Sequence, residues 1–187
     1  MSKVSIANRA LAFLGENKIT SLTDETQAAR SINNMYQDSL KSILSECCWN
    51  FARKRAMLNM TTEKPAWGGG NYFQLPPDVI RIFQATADFE IEGDKLLSNA
   101  SSVGILYTYL NEDDSRYSPH FVDAFACRLA HDISFDLTNQ SSKQENLLKL
   151  YYGHFLPIAK SANAKERTPP AIKDDQWVNA IYGGVNG

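Results

Sequence analysis

The sequence has no long hydrophobic run, no strong excess of one charge and few cysteines. No apolar stretch approaches the ~18 residues that a membrane-spanning helix requires, so we expect no membrane span. The amino terminus enters an amphipathic pattern at once, without the apolar segment of a signal peptide, which predicts synthesis in a cytoplasm. The 19 basic and 21 acidic side chains argue against a protein whose whole surface grips nucleic acid, but leave a local basic patch open.

The side chains that most often carry catalysis or bind metals form no convincing pattern. Cys127 and His131 are four residues apart on a predicted helix, but zinc needs two further ligands and no other pair has a matching spacing. The same two groups, oriented by Asp132 or Asp136, would make a nucleophile only if the pKa of the thiol were lowered, which nothing local indicates. Reduced, buried thiols are the simpler interpretation for all three cysteines.

Two further patterns are typical of loops rather than of sites. Gly68-Gly69-Gly70 lacks the lysine and hydroxyl residue that follow in a phosphate-binding loop, and it opens no helix. Carboxylates are grouped at Glu112-Asp113-Asp114 and in other predicted turns, where solvated acids are normal. A glycosidase instead needs a carboxyl group held against apolar walls.

Helical periodicity is strong near both ends of the chain. The spacing of apolar residues predicts four helices, at about 3–14, 24–47, 119–139 and 143–163. Gly15 is placed to end the first helix, and Thr23 or Asp24 to cap the second. Ser118 followed by Pro119 predicts the start of the third helix, and Ser142-Lys143-Gln144-Glu145 has the capping-box pattern for the fourth.

Between these helices the pattern changes to short strands and turns, at about 49–110. Val79 to Ala85 and Ile105 to Leu110 have the composition of strands, and Glu92-Gly93-Asp94 predicts a tight hairpin turn. The change begins at Trp49, since Trp49 and Phe51 alternate in direction with their neighbours as in a half-buried strand. We expect these two aromatic residues to anchor a sheet on the second helix.

Directly behind the aromatic pair lie Arg53, Lys54 and Arg55, the densest positive charge in the chain. Three adjacent charges on a strand divide between its two faces, so only some of them can form one patch. An exposed strand end or an ion pair with a neighbouring subunit is the simplest interpretation, and contact with phosphates is the alternative. The three residues are therefore a candidate subunit interface.

Together these patterns predict an α+β fold: a helix-dominated four-helix bundle with a small antiparallel β-sheet inserted between helices 2 and 3. Residues 1–165 are expected to form one domain. Residues 166–187 carry isolated apolar anchors without a core of their own, so we expect an extended C-terminal arm that docks on another surface. The anchors Ile172, Trp177 and Tyr182 join the basic run as candidate interface residues.

Several short segments, taken in order, resemble one known protein family. They are Ala7–Glu16 in the first helix, Ala28-Ala29-Arg30 in the second, Trp49-Asn50-Phe51-Ala52 at the junction and Leu75-Pro76-Pro77-Asp78 in the β-rich stretch. The helix-rich carboxy half fits as well. Over about residues 4–165 the chain resembles the tail tubular protein A family, the head-to-tail adaptor (connector) proteins of short-tailed bacteriophages.

The resemblance implies a structural virion protein, with no enzyme activity, metal or cofactor. Such adaptors form a twelve-fold ring between the portal protein and the tail nozzle protein, around the path by which double-stranded DNA is ejected. The implied partners are therefore copies of the same chain, the portal and the nozzle, with DNA passing but not bound specifically. The resemblance also implies that the arm reaches the portal or an adjacent subunit. A folded core with an anchor-bearing tail and no convincing catalytic pattern favours the same role.

Two other functions stay open on the sequence. A particle-associated cell-wall hydrolase would use the turn carboxylates, of which Glu112 and Asp114 are the candidates. A DNA-binding module would use Arg53, Lys54 and Arg55, and its affinity would fall as salt is added.

Overall fold

The computed structural model describes residues 2–166, which fold into a helical region and a β region. The helices are α1 (Lys3–Leu14), α2 (Gln27–Ser45), α3 (Pro119–Thr138), α4 (Ser141–Leu150) and α5 (Leu156–Lys165). The strands are β1 (Arg53–Met57), β2 (Asn59–Met60), β3 (Asn71–Gln74), β4 (Val79–Ala85), β5 (Glu90–Glu92), β6 (Lys95–Ser98) and β7 (Gly104–Tyr109). None of the helices in residues 2–166 has the length and apolar character of a membrane span.

Short-range signals set both ends of α1. The Ser2 hydroxyl accepts a hydrogen bond from the backbone N–H of Ser5, which satisfies one of the free donors of the first turn. Gly15 ends the helix with a φ of 73°, a left-handed conformation that costs glycine little, and its N–H group bonds back to the last turn.

The cap of α2 differs from the prediction at Thr23 or Asp24. Thr26 is the cap, and its hydroxyl accepts from the N–H group of the third residue along. The Asp24 carboxylate instead bonds to the connector before α2, where it accepts from the N–H groups of Thr20 and Ser21 at 2.8 and 3.2 Å. These backbone hydrogen bonds close a turn in the connector and lower the pKa of Asp24.

The start of α3 and that of α4 follow different rules. Ser118 caps α3 with Pro119 at its first position, as the sequence predicts. The capping box predicted at Ser142 is wrong, because α4 has already begun at Ser141 and Gln140 makes no side-chain cap bond. Asn139, with a φ of 52°, reverses the chain so tightly that the next helix starts two residues later.

A π turn, Tyr151–Phe155, joins α4 to α5 without a break. The five α segments of the described chain therefore make four continuous helices, the last of which is α4 together with α5. Proline lacks an N–H group, and its ring collides with the carbonyl group four residues earlier in a regular α-helix. Pro157 stands just after this wider turn, where the N–H group of Leu156 reaches the carbonyl oxygen of Tyr151, five residues back. The wider π turn thus lies directly before Pro157, at the place where the proline ring would collide with a regular α-helix.

The helical region packs around α3, which contacts α1, α2 and α4. Burial of α3 extends over most of its circumference rather than over one stripe. Its fully buried apolar residues include Phe121, Phe125, Ala126, Leu129, Ala130 and Ile133. A helix that is apolar on most sides has to lie inside its domain, as α3 does.

The prediction of a helix-dominated bundle with one small sheet is wrong. Seven strands, spread over residues 53–109, form two antiparallel sheets, in the orders β1-β7-β4 and β2-β3-β6-β5. Both sheets contribute to a second apolar cluster, separate from the helical core, that consists of Leu58, Phe73, Leu96, Val103, Ile105 and Tyr107. The chain is α+β, but its β region has a core of its own. Leu58 alone separates β1 from β2 and carries the chain from one sheet to the other, a step that strand propensity cannot specify.

The strand predicted to start at Trp49 is also wrong. Asn50–Ala52 forms a single 3-10 turn, and the strand begins at Arg53. Trp49 is fully buried in the helical core, where its indole N–H donates to the carbonyl oxygen of Ile43 at 2.9 Å and its ring meets that of Phe121 edge-on. The tryptophan therefore closes the end of α2, because helical neighbours satisfy both its ring and its polar group.

Candidate interaction surfaces

The predicted basic run lies on β1, at an open edge of the three-stranded sheet. β1 pairs with β7 alone, from Arg53 opposite Thr108 to Met57 opposite Gly104. Alternation along the strand places Arg53, Arg55 and Met57 on one face and Lys54 on the other. The run is therefore divided between two faces, as three adjacent charges on a strand must be.

Lys54 has its partner inside the subunit. Its amino group lies 2.6 Å from Oδ2 of Asp78 and 3.8 Å from the centroid of the Tyr109 ring. The hydrogen bond to Asp78 raises the pKa of Lys54. Asp78 also accepts from the hydroxyl of Tyr107, so this contact fixes the Pro76-Pro77-Asp78 corner to β1 and β7.

Arg53 and Arg55 have no ion pair or side-chain hydrogen bond with any of residues 2–166. Met57, on the same face, is 67% exposed. Its side chain lies across Gly104, since a Cβ atom on that glycine would stand only 2.9 Å from the Met57 sulfur. We call Arg53, Arg55 and Met57 the basic edge; it continues along the chain into the exposed Met60 of β2.

An acidic counterpart lies on β5, an open edge of the four-stranded sheet. β5 pairs with β6 alone, and Glu90, Ile91 and Glu92 are all exposed. Within the described part of the chain no cation pairs with either glutamate. Lys95, the residue opposite Glu92 on β6, pairs with Glu63 instead. We call Glu90, Ile91 and Glu92 the acidic edge.

A groove of about 570 Å³ lies beside the acidic edge. It is bounded by the glycine-rich loop on one side and by β5 on the other, and Trp67 in its wall is 87% exposed. Tyr72 lines it as well and donates to the Glu92 carboxylate at 2.5 Å, a bond that raises the pKa of the phenol. Phe89 adds a partly exposed ring. The loop thus adds apolar surface beside the two glutamates.

Cys127 and His131, the candidate nucleophile and zinc ligands on α3, each bond to a different partner. Burial raises the pKa of the Cys127 thiol to about 12, and its sulfur donates to the carbonyl oxygen of Leu147. Nδ1 of His131 lies 2.8 Å from the carboxylate of Asp132. Within residues 2–166 no group of three histidine, cysteine or acidic side chains is arranged to hold a metal ion.

Asp132 belongs to a polar cluster between α2 and α3. Besides His131, its nearly buried carboxylate accepts from the Ser39 hydroxyl at 2.6 Å and from Nε of Arg128 at 3.0 Å. Asp136, one turn further along, accepts from Ser31. The two serine bonds join α2 to α3, and the Asp132 carboxylate is occupied by its three partners.

The turn carboxylates that a hydrolase would use lie at the start of the segment before α3. Asp113 accepts from Ser115 and Arg116, and these hydrogen bonds lower its pKa, the opposite of what a general acid requires. Glu112 accepts from Gln37 and faces Lys3 at 3.7 Å. The contacts of Glu112 tie the turn to α1 and α2, whereas those of Asp113 stay within the turn.

The remaining predicted interface residues, Ile172, Trp177 and Tyr182, lie outside the described residues. Sequence reasoning missed the acidic edge, because carboxylates in or beside a predicted turn are normally solvated. The available signal was the alternation of Glu90, Ile91 and Glu92 next to a tight turn, which places two like charges on one face of an edge strand.

No model of a known protein family matches the chain, and no curated protein is significantly similar to it in sequence.

Proposed function

We propose that the protein is a head-to-tail adaptor of a short-tailed bacteriophage virion. Copies of the chain form a ring that joins the portal protein to the tail nozzle protein and surrounds part of the DNA ejection channel. The observation that carries the proposal is the exposed surface of the β region, where unpaired charges of both signs accompany large apolar side chains. Exposed apolar surface of this kind is typical of a protein that buries it against a partner.

The segments that resemble the adaptor family have structural tasks in this chain. The Asn8 side-chain NH2 donates to the carbonyl oxygen of Ile19 at 2.9 Å, and its oxygen accepts from the N–H group of Ile19 at 2.8 Å, which fixes the connector after α1. Trp49 closes the end of α2, and Asp78 holds the proline corner against Lys54. Because these residues position elements relative to one another, their shared order supports a shared fold, and through it the adaptor role.

The proposed partners are further copies of the chain, the portal and the nozzle, at the head–tail interface of the virion. DNA passes through the ring without being held. The net charge of −2 suits this task, since a strongly basic lumen would bind phosphates and slow the passage of the genome.

Electron microscopy and mass measurement of the purified full-length protein test the proposal. We expect a closed ring at micromolar concentration, with a mass that is a whole multiple of the 20.9 kDa chain. A protein that stays monomeric over the accessible concentration range would contradict the ring, and with it the adaptor role.

The proposed role of residues 166–187 has its own test. A chain that lacks this segment should fold normally but fail to join heads to tails in an assembly reaction with purified heads and tails. Full joining activity of the shortened chain would show that the arm has no part in the connection.

A further inference from the structure

Two of the four edge strands in the described chain, β1 and β5, each carry two like charges that make no ion pair. β1 lies at the edge of one sheet and β5 at the edge of the other. Arg53 and Arg55 project from one face of β1, and Glu90 and Glu92 from one face of β5, in each case two residues apart. None of the four makes an ion pair within residues 2–166.

The two edges lie too far apart to pair within one copy. β1 runs through Leu58 into β2, and β2 and β5 are the opposite edges of the four-stranded sheet. Three strand spacings separate β2 from β5, about 14 Å. Pairing of the two edges therefore needs a second molecule.

Pairing of like edges is disfavoured. Two copies of β1 side by side would bring four arginines together, and two copies of β5 would bring four glutamates together, and like charges directly opposite one another destabilise a strand pair. Charged residues on an open edge commonly serve to prevent such self-association. Here they leave the opposite edge of another copy as the favourable partner.

The spacing of the charges matches across the two strands. In an antiparallel pair with Arg53 opposite Glu92, Arg55 stands opposite Glu90, so both ion pairs form in one register. The apolar surface is matched as well. Met57 and Met60 flank the arginines, and Trp67, Phe89 and Ile91 flank the glutamates. These are five of the nine large apolar residues that residues 2–166 expose.

We propose that β1 of one copy pairs with β5 of the next, with Arg53 and Arg55 against Glu92 and Glu90, and that this contact joins the subunits of the ring. The inference rests on the ring proposed above and names the surfaces that build it. Such a contact uses two different patches, so every subunit offers one free edge of each kind to its neighbours. It closes into a ring when the rotation between subunits allows.

Charge reversal tests the pairing in the full-length protein. R53E/R55E and E90R/E92R should each weaken self-association about 10- to 100-fold, since two attractive pairs become repulsive. Mixing the two variants should restore assembly, because each variant then presents edges that complement the other. The variant with all four changes should assemble alone. Mass photometry over a concentration series measures all four cases, and circular dichroism shows that each variant is folded.

Two matched variants complete the test. R53K/R55K keeps the charge and should assemble. R30E/K149E makes the same change in net charge on exposed helical residues, and should also assemble. If R30E/K149E dissociates the ring as strongly, the effect is one of net charge and the pairing is overturned.

The remaining outcomes separate the two proposals. If the wild-type protein forms rings and the reversals leave them unchanged, the edge pairing is wrong and the adaptor proposal stands. If single reversals dissociate the ring but the mixture does not recover, the arginines meet a different surface and the pairing is again wrong. A wild-type protein that never assembles contradicts the ring itself.

Discussion

The centre of the helical region and two edges of the β region differ in how their charged side chains are partnered. Between α2 and α3, Asp132 is surrounded by Ser39, Arg128 and His131, and every one of these contacts lies inside the subunit. On the edges of the β region, the side chains of Arg55 and Glu90 make no ion pair or hydrogen bond with any of residues 2–166. In the proposed ring, these two edges are the surface that meets a neighbouring copy.

The largest expected effect comes from the junction between the two regions. Trp49→Ala removes a fully buried ring and leaves a cavity at the end of α2, so we expect the free energy of unfolding to fall by about 3–5 kcal/mol. Denaturant unfolding followed by circular dichroism measures it. The matched change Trp67→Ala, in the exposed loop, should alter the monomer by less than about 0.5 kcal/mol. Equal losses in both variants would remove the contrast between the regions.

A second prediction concerns the polar cluster of the helical region. Asp132→Ala leaves Arg128 and Ser39 without their partner in a mostly buried place, and we expect a loss of about 1–3 kcal/mol. Asp38→Ala is the control, because Asp38 faces Lys41 at 3.8 Å on the exposed side of α2 and should contribute less than about 0.5 kcal/mol. Thermal unfolding of the two variants at pH 7 compares them, and a larger effect at Asp38 would contradict the assignment.

A smaller effect is expected from the buried phenols. The hydroxyl of Tyr151 is buried without a hydrogen-bond partner among the described residues, so Tyr151→Phe should stabilise the protein by about 1 kcal/mol. Burial raises the pKa of Tyr151 in the folded state. The free energy of unfolding is therefore independent of this ionisation below the ordinary phenol pKa of about 10, and falls as the pH rises above that value because the unfolded state ionises first. Tyr151→Phe should accordingly flatten the fall of the melting temperature at alkaline pH.

Tyr117 provides the opposite control. Its hydroxyl donates to the carbonyl oxygen of Asn111 at 2.6 Å, and Tyr117→Phe should therefore destabilise the protein by about 1 kcal/mol. Burial raises the pKa of Tyr117 too, so this variant should also lose part of its sensitivity to alkaline pH. Effects of the same sign on stability at pH 7 would show that the hydrogen bonding of the two phenols does not differ as described.

Local chemistry was the predictable part of the fold. Gly15, Ser118 and Pro119 mark helix ends through backbone conformation and capping, which depend on neighbours in the chain. The turn at Gly93, with a φ of 62°, and the strand Val79–Ala85 follow from equally short-range rules. Such signals can be found in a sequence because the partner groups lie within a few residues.

Contacts between residues that lie far apart in the sequence were not predictable in the same way. The alternation at Trp49 is compatible with a strand, but the carbonyl group of Ile43 and the ring of Phe121 draw the indole into the helical core. Assignment of strands to two sheets likewise depends on which apolar faces meet in space. The basic edge could be found because three adjacent charges stand out, whereas the acidic edge becomes visible only when β5 proves to be an open edge.

The π turn between α4 and α5 has a consequence for the junction at the far end of the last helix. Its extra residue advances the angular position of everything after it by about 100°, the rotation of one residue in an α-helix. With that offset, Asn163 accepts from the backbone N–H of Asn50 at 2.8 Å and donates to the carbonyl oxygen of Cys48 at 3.2 Å. Removal of one residue from Tyr151–Phe155 would rotate Asn163 away from both groups. The number of residues in a turn of the helical region thereby sets how the first strand of the β region is attached.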